Sequence, residues 1–170
     1  MSLGSTPFSR LPGGTRLDRA WIENHIPHRG GMCLLEEVLS WDPARIRCRA
    51  TNHRSPDNPL RAHGRLGAAC GVEYAAQTMA VHGAIMAEMS GKTARAGLLT
   101  SVRGLVLRVT RLDDLEGELI ASAERLAGDE DGILYEFALS SGGRELLTGR
   151  AGIVFGAQAA GSPSMGPQAR

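Results

Sequence analysis

Residues 67–89 read GAACGVEYAAQTMAVHGAIMAEM, and the fold turns on how this stretch is read. It is small or apolar on nearly every helical face, and a helix that is apolar all round belongs in a core. Gly91 with Lys92 beside it marks the C-terminal end. Glu73 stands out within it. Burying a carboxyl costs free energy unless it is protonated or hydrogen-bonded, and desolvation favours the neutral form. A carboxyl held neutral can donate a proton, so Glu73 is a candidate general acid. The plainer alternative is a buried Glu satisfied by a backbone group or by Gln77, one turn on.

Toward the N-terminus, Trp21–His25 reads as a short helical turn ended by the extended Ile26-Pro27 step. Met32–Leu39 is an apolar run suited to a strand. Arg45–Ala50 alternates strictly, with Ile46, Cys48 and Ala50 on one face and Arg45, Arg47 and Arg49 on the other, a half-buried strand. Asn52–His63 is polar and holds two prolines, so it is a loop. After the helix come four strand-like segments, 98–111, 118–126, 133–139 and 145–155, separated by turns at Asp113-Asp114, 128–132 and 141–143. Tight turns require antiparallel pairing. Such a sheet covers a helix that is apolar on all sides only by curling around it, and seven alanines between Ala68 and Ala87 allow close approach. The expectation is one α+β domain over 16–156, with residues 1–15 and 157–170, rich in Gly, Ser and Pro, poorly ordered.

Bulk properties narrow the function. A chain of 170 residues with 42% hydrophobic and 22% charged residues suits one globular domain. A net charge of +1 and only 4% aromatic residues give no case for nucleic acid or an anionic membrane. Cys33, Cys48 and Cys70 are widely spaced and odd in number, which suits free thiols in a reducing cytoplasm. No CxxC or HxxxH pair suggests a metal. The first ten residues lack a secretory signal pattern, and Glu73, Gln77, His82 and Glu88 interrupt the apolar stretch too often for a membrane span.

The element order of two strands, a long buried helix and four strands is similar to the hotdog fold. The segment IPHRGGMCLLE, residues 26–36, resembles the entry to β-hydroxyacyl-[acyl-carrier-protein] dehydratases, in which a proline-histidine-arginine step precedes the first strand. GVEYAAQ, residues 71–77, looks like the same family's central-helix motif, with its acid four positions before a glutamine. The closest likeness is to the dehydratases of aryl polyene and related lipid clusters, and it spans roughly residues 20–156.

That resemblance implies a dimer that removes water from a β-hydroxyacyl chain held on the phosphopantetheine of an acyl carrier protein, with no cofactor. It implies Glu73 as the acid and Gln77 as its holder. Backbone N–H groups over Ala69, Cys70 and Gly71, unpaired at a helix start, would polarise the thioester carbonyl. Gly71 would admit the pantetheine arm, and Met79 and Met86 would line an acyl tunnel. The family's base is a histidine in a Gly- and Pro-rich loop of the other subunit. The ungapped position here is Pro59, and His53 and His63 flank it. His63, followed by Gly64, is the preferred candidate and His53 the second. His28 reads as structural and His82 as a satisfied core histidine.

Two alternatives remain open at this level. One is an acyl thioesterase on the same fold, which needs no histidine. The other is a half-catalytic or non-catalytic carrier-binding subunit paired with a second hotdog protein, so that homodimer and heterodimer both stay possible.

Overall fold

The computed structural model describes residues 7–156. Helix α1 (Arg19–His25) begins at Asp18, whose carboxylate accepts the Trp21 N–H at 3.1 Å. Strands β1 (Glu37–Trp41) and β2 (Arg45–Ala50) precede helix α2 (Gly71–Met89), and β3 (Gly97–Leu107), β4 (Leu119–Gly128), β5 (Gly132–Ser141) and β6 (Arg144–Phe155) follow it. The six strands form one antiparallel sheet in the order β1-β2-β4-β5-β6-β3. This is the expected α+β hotdog architecture. No helix among the described residues is long and apolar enough to cross a membrane.

The alternation read in β2 holds: Ile46, Cys48 and Ala50 are buried, and they register against Ala123, Ala121 and Leu119. Ala123 and Ala121 lie opposite Phe137 and Leu139 of β5, and the row continues from Leu139 to Leu147 of β6. Tyr74, Ala75, Met79, Val81, Ala84 and Ile85 of α2 fill the inner side of this curved sheet. Gly71 lets the helix start press close, because a Cβ there would meet Leu147 Cδ2 at 2.3 Å and Leu139 Cδ2 at 2.8 Å.

Three expectations need correction. The apolar run 32–39 is not one strand. Gly30–Met32 forms a 3-10 turn, Cys33–Leu35 are fully buried, and the strand proper begins at Glu37. The reason is that a side chain replaces the ladder there: Gln77 Oε1 accepts the Leu34 N–H at 2.9 Å, and its Nε2 donates to the Met32 carbonyl at 2.8 Å. Second, residues 7–15 are not loose. Phe8 and Trp41 exchange two 2.7 Å backbone hydrogen bonds, and Leu11 enters the core. Residues 1–6 and 157–170 lie outside the described residues.

Third, α2 is not buried all round. It packs mainly on β2, β4 and β5, while Val72, Glu73, Ala76, Ala80, Gly83 and Ala87 stay half-buried along one stripe. At the far end of the sheet, beyond β6, β3 packs little on the helix. Of its eleven residues only Ser101 is even half-buried, and Leu99, Val102 and Leu107 are exposed. The two sheet edges therefore differ. The β1 edge is bridged at Trp41 and Glu37 by Phe8 and Asp18, whereas the outer edge of β3 pairs with no strand among the described residues.

Candidate active site

Glu73 lies in the first turn of α2, just past a 3-10 turn at Ala68–Cys70 that aims the helix N-terminus. Its side chain is 32% exposed, so the chain's own core does not seal it from water. The two polar contacts it makes fall on the same oxygen. Gln77 Nε2 donates to Glu73 Oε1 at 3.0 Å, and His28 Nε2 lies 3.1 Å from that Oε1. Gln77 is fully buried, and its other bonds run to Met32 and Leu34. One amide thus ties the acid to the segment that enters the sheet.

His28 is the residue that sequence reasoning left as structural. It follows the extended Ile26-Pro27 step, and guanidinium groups hold its segment in place. Arg29 Nη1 donates to the Ile26 carbonyl and, at 3.2 Å, to that of His28, and Arg19 Nη2 donates to the Gly30 carbonyl at 2.9 Å. The proline-histidine-arginine step was the available signal, but nothing local says that it meets a helix 45 positions away.

The loop ahead of the helix is anchored beside the acid. The Tyr74 hydroxyl donates to Asn52 Oδ1 at 2.8 Å and accepts from Asn58 Nδ2 at 3.0 Å. Burial pushes the Tyr74 phenol up to about 12, so it stays a neutral donor. His53 is buried in this loop, with its Nε2 donating to the Leu115 carbonyl at 3.0 Å and its Nδ1 without a partner. His63 stands exposed at the tip of a two-residue turn closed by Ala62 and Arg65, with φ of 51° there and 73° at Gly64. That is the left-handed pair of a tight hairpin turn. Neither histidine bonds Glu73 within the chain.

The helix start also departs from expectation. The Cys70 N–H is taken by the Gly67 carbonyl at 3.0 Å, and the Gly71 N–H turns back to Ala68 and Ala69. These two are not free donors, and only the N–H of exposed Ala69 is left for a substrate oxygen. Cys70 is half-buried and its thiol donates weakly to the Leu60 carbonyl at 3.6 Å. Met79 is in the core and Met86 packs half-buried against it. A groove of about 1260 Å³ on the outer sheet face, lined by Arg45, Arg47, Arg103 and Arg150 among others, does not include Glu73.

A curled antiparallel sheet around a central helix, with a partly exposed carboxyl in the first turn of that helix, defines a hotdog domain with a candidate acid at the helix start. The family model for ApeP-like proteins, described as ApeP dehydratase, matches residues 20–160, so the chain belongs to the ApeP-like dehydratase family. No curated protein matches the sequence. Among solved structures, the dehydratase heterocomplex ApeI:P from Xenorhabdus doucetiae is similar at a TM-score of 0.73 and 23% identity, over 81% of this chain and 91% of that one. Zebra fish thioesterase superfamily member 2 is similar at a TM-score of 0.56 and 14% identity, over 81% and 95%. The Escherichia coli PaaI protein of the phenylacetic acid degradation operon follows at 0.52 and 11%, over 69% and 80%. At these identities the structures share the fold.

Proposed function

We propose that this chain is a dehydratase subunit for β-hydroxyacyl thioesters borne on an acyl carrier protein, with Glu73 as its acid. The observation that carries this reading is the Glu73 carboxyl itself. Its Oε1 is fixed by Gln77 and His28, it sits at the helix start, and it lies on the stripe of α2 that the chain's own fold leaves half-buried. In the elimination, a base removes the α-proton and the C–H electrons move toward the thioester, whose oxygen gains enolate character. Those electrons then form the α,β double bond as the β-hydroxyl departs, taking the Glu73 proton to leave as water. In this reading the N–H of exposed Ala69 polarises the thioester oxygen.

The base comes from a second hotdog subunit in this reading. His63 and His53 make no contact with Glu73 within the chain, while the bare β3 edge and its exposed Leu99, Val102 and Leu107 suit sheet-edge pairing with another subunit. The related ApeI:P structure is a heterocomplex, which favours a different hotdog protein as that subunit over a second copy. A cytoplasmic setting suits the three free thiols.

The test is incubation of a β-hydroxyacyl carrier protein with the chain alone and with a hotdog partner. Enoyl product with no free thiol, strongest in the mixture, supports the reading. Thiol release in place of enoyl product would mean a thioesterase, and full activity of the chain alone would return the base to His63 or His53 of a second copy.

A further inference from the structure

We propose that His28 is a positioning residue that, together with Gln77, fixes which oxygen of Glu73 carries the transferable proton, an inference that rests on Glu73 being the acid. Both donors that reach this carboxyl converge on Oε1, Gln77 Nε2 at 3.0 Å and His28 Nε2 at 3.1 Å, and Oε2 has no partner among the described residues. A carboxylic acid keeps its proton on the oxygen that is not already accepting hydrogen bonds. The proton therefore rides on Oε2, the oxygen left free to face a substrate hydroxyl.

The His28 ring is set for this task. Its Nδ1 is buried without any partner, so a proton there would be an orphaned donor, and the ring's proton belongs on Nε2, aimed at Oε1. The ring cannot drift, because Arg29 and Arg19 fasten the carbonyls on either side of it. When Oε2 gives up its proton, charge develops on a carboxylate that already holds two donors. The stabilisation grows along the reaction, so it acts on turnover and leaves binding alone.

The measurement uses the reconstituted active assembly. His28→Ala is expected to lower kcat by about 10- to 100-fold with KM unchanged, the scale of a lost charge-assisted donor. His28→Gln, whose amide nitrogen reaches as far as Nε2, is expected to restore most of that loss. Unchanged kcat in His28→Ala would overturn the proposal. So would a His28→Gln variant as slow as the alanine one, since the imidazole would then be taking a proton itself. Nitrogen-15 spectra of the wild-type ring give a check that needs no variant: a proton on Nε2 and a bare Nδ1 are expected, and the opposite tautomer would refute the arrangement. Glu73→Gln is run alongside. Full turnover there would remove the acid assignment itself, a failure distinct from that of His28.

Discussion

Gln77 Oε1 accepts the backbone N–H of Leu34 at 2.9 Å across 43 positions of sequence. The same fully buried amide donates to the Met32 carbonyl and to Glu73 Oε1, at 2.8 and 3.0 Å. It completes the hydrogen bonding of a segment that has left the sheet ladder and, in doing so, fixes the candidate acid. Stability and geometry of the site are joined in one side chain.

Gln77→Leu keeps the volume but strands the buried Leu34 N–H and leaves the Met32 carbonyl without its partner. An orphaned buried N–H costs about 1–3 kcal/mol, so urea unfolding should show a marked loss of stability. An unchanged unfolding midpoint would mean that water or a shifted backbone replaces the amide.

Glu73→Gln preserves size and the contact with Gln77. Circular dichroism should match the wild type while turnover falls at least about a hundredfold, the scale of a lost general acid. His63→Ala in the same assay is expected to keep its turnover, since the base belongs to the partner subunit in this reading, and a loss of about a hundredfold would return the base to this chain. His53→Ala is the comparison, and because that ring is buried its activity must be read beside its stability.

Gly71→Ala adds a methyl that would stand 2.3 Å from Leu147 Cδ2 and 2.8 Å from Leu139 Cδ2. Overpacking of this kind costs about 1–3 kcal/mol, so a lowered thermal midpoint is expected. A midpoint equal to the wild type would show that the two leucines repack freely.

His82 makes the fold sensitive to acid. Its ring is fully buried, with Nδ1 accepting from the Tyr135 hydroxyl at 3.0 Å and Nε2 donating to the Asp42 carbonyl at 2.8 Å. Desolvation lowers its affinity for a proton below the ordinary value of 6.5. Below that pH the unfolded chain takes up a proton that the folded ring resists, so stability is intact above it and falls as the pH drops. The slope reaches about 1.4 kcal/mol per pH unit at most. Unfolding free energies between pH 7.5 and 5 should show this contribution in the wild type and lack it in His82→Asn. Equal slopes would assign the acid sensitivity to other groups.

Much of this molecule was legible because its signals are local. Strict alternation placed Ile46, Cys48 and Ala50 inward, and the turn residues at 128–132 and 141–143 marked the hairpins of β4, β5 and β6. The helix end near Gly91 followed from composition, whereas its first residues, Ala68–Cys70, form a 3-10 turn, and Glu73 and Gln77 followed from an i, i+4 pair that any helix brings together. The apolar run at 32–39 misled because hydrophobicity reports burial and not pairing. Cys33–Leu35 are buried against a side-chain amide where a strand would have been expected.

By itself, then, the chain's order of residues determined the helix, the alternation of the strands and the acid-glutamine pair, since each depends on neighbours within a turn or a pleat. Only the tertiary structure decided that α2 stays half-buried along one stripe, that β3 is exposed at the sheet edge, and that His28 rather than a loop histidine touches Glu73. Those facts depend on how far a curved sheet reaches around a helix and on which distant segments its closure brings within hydrogen-bond range. No periodicity encodes such distances.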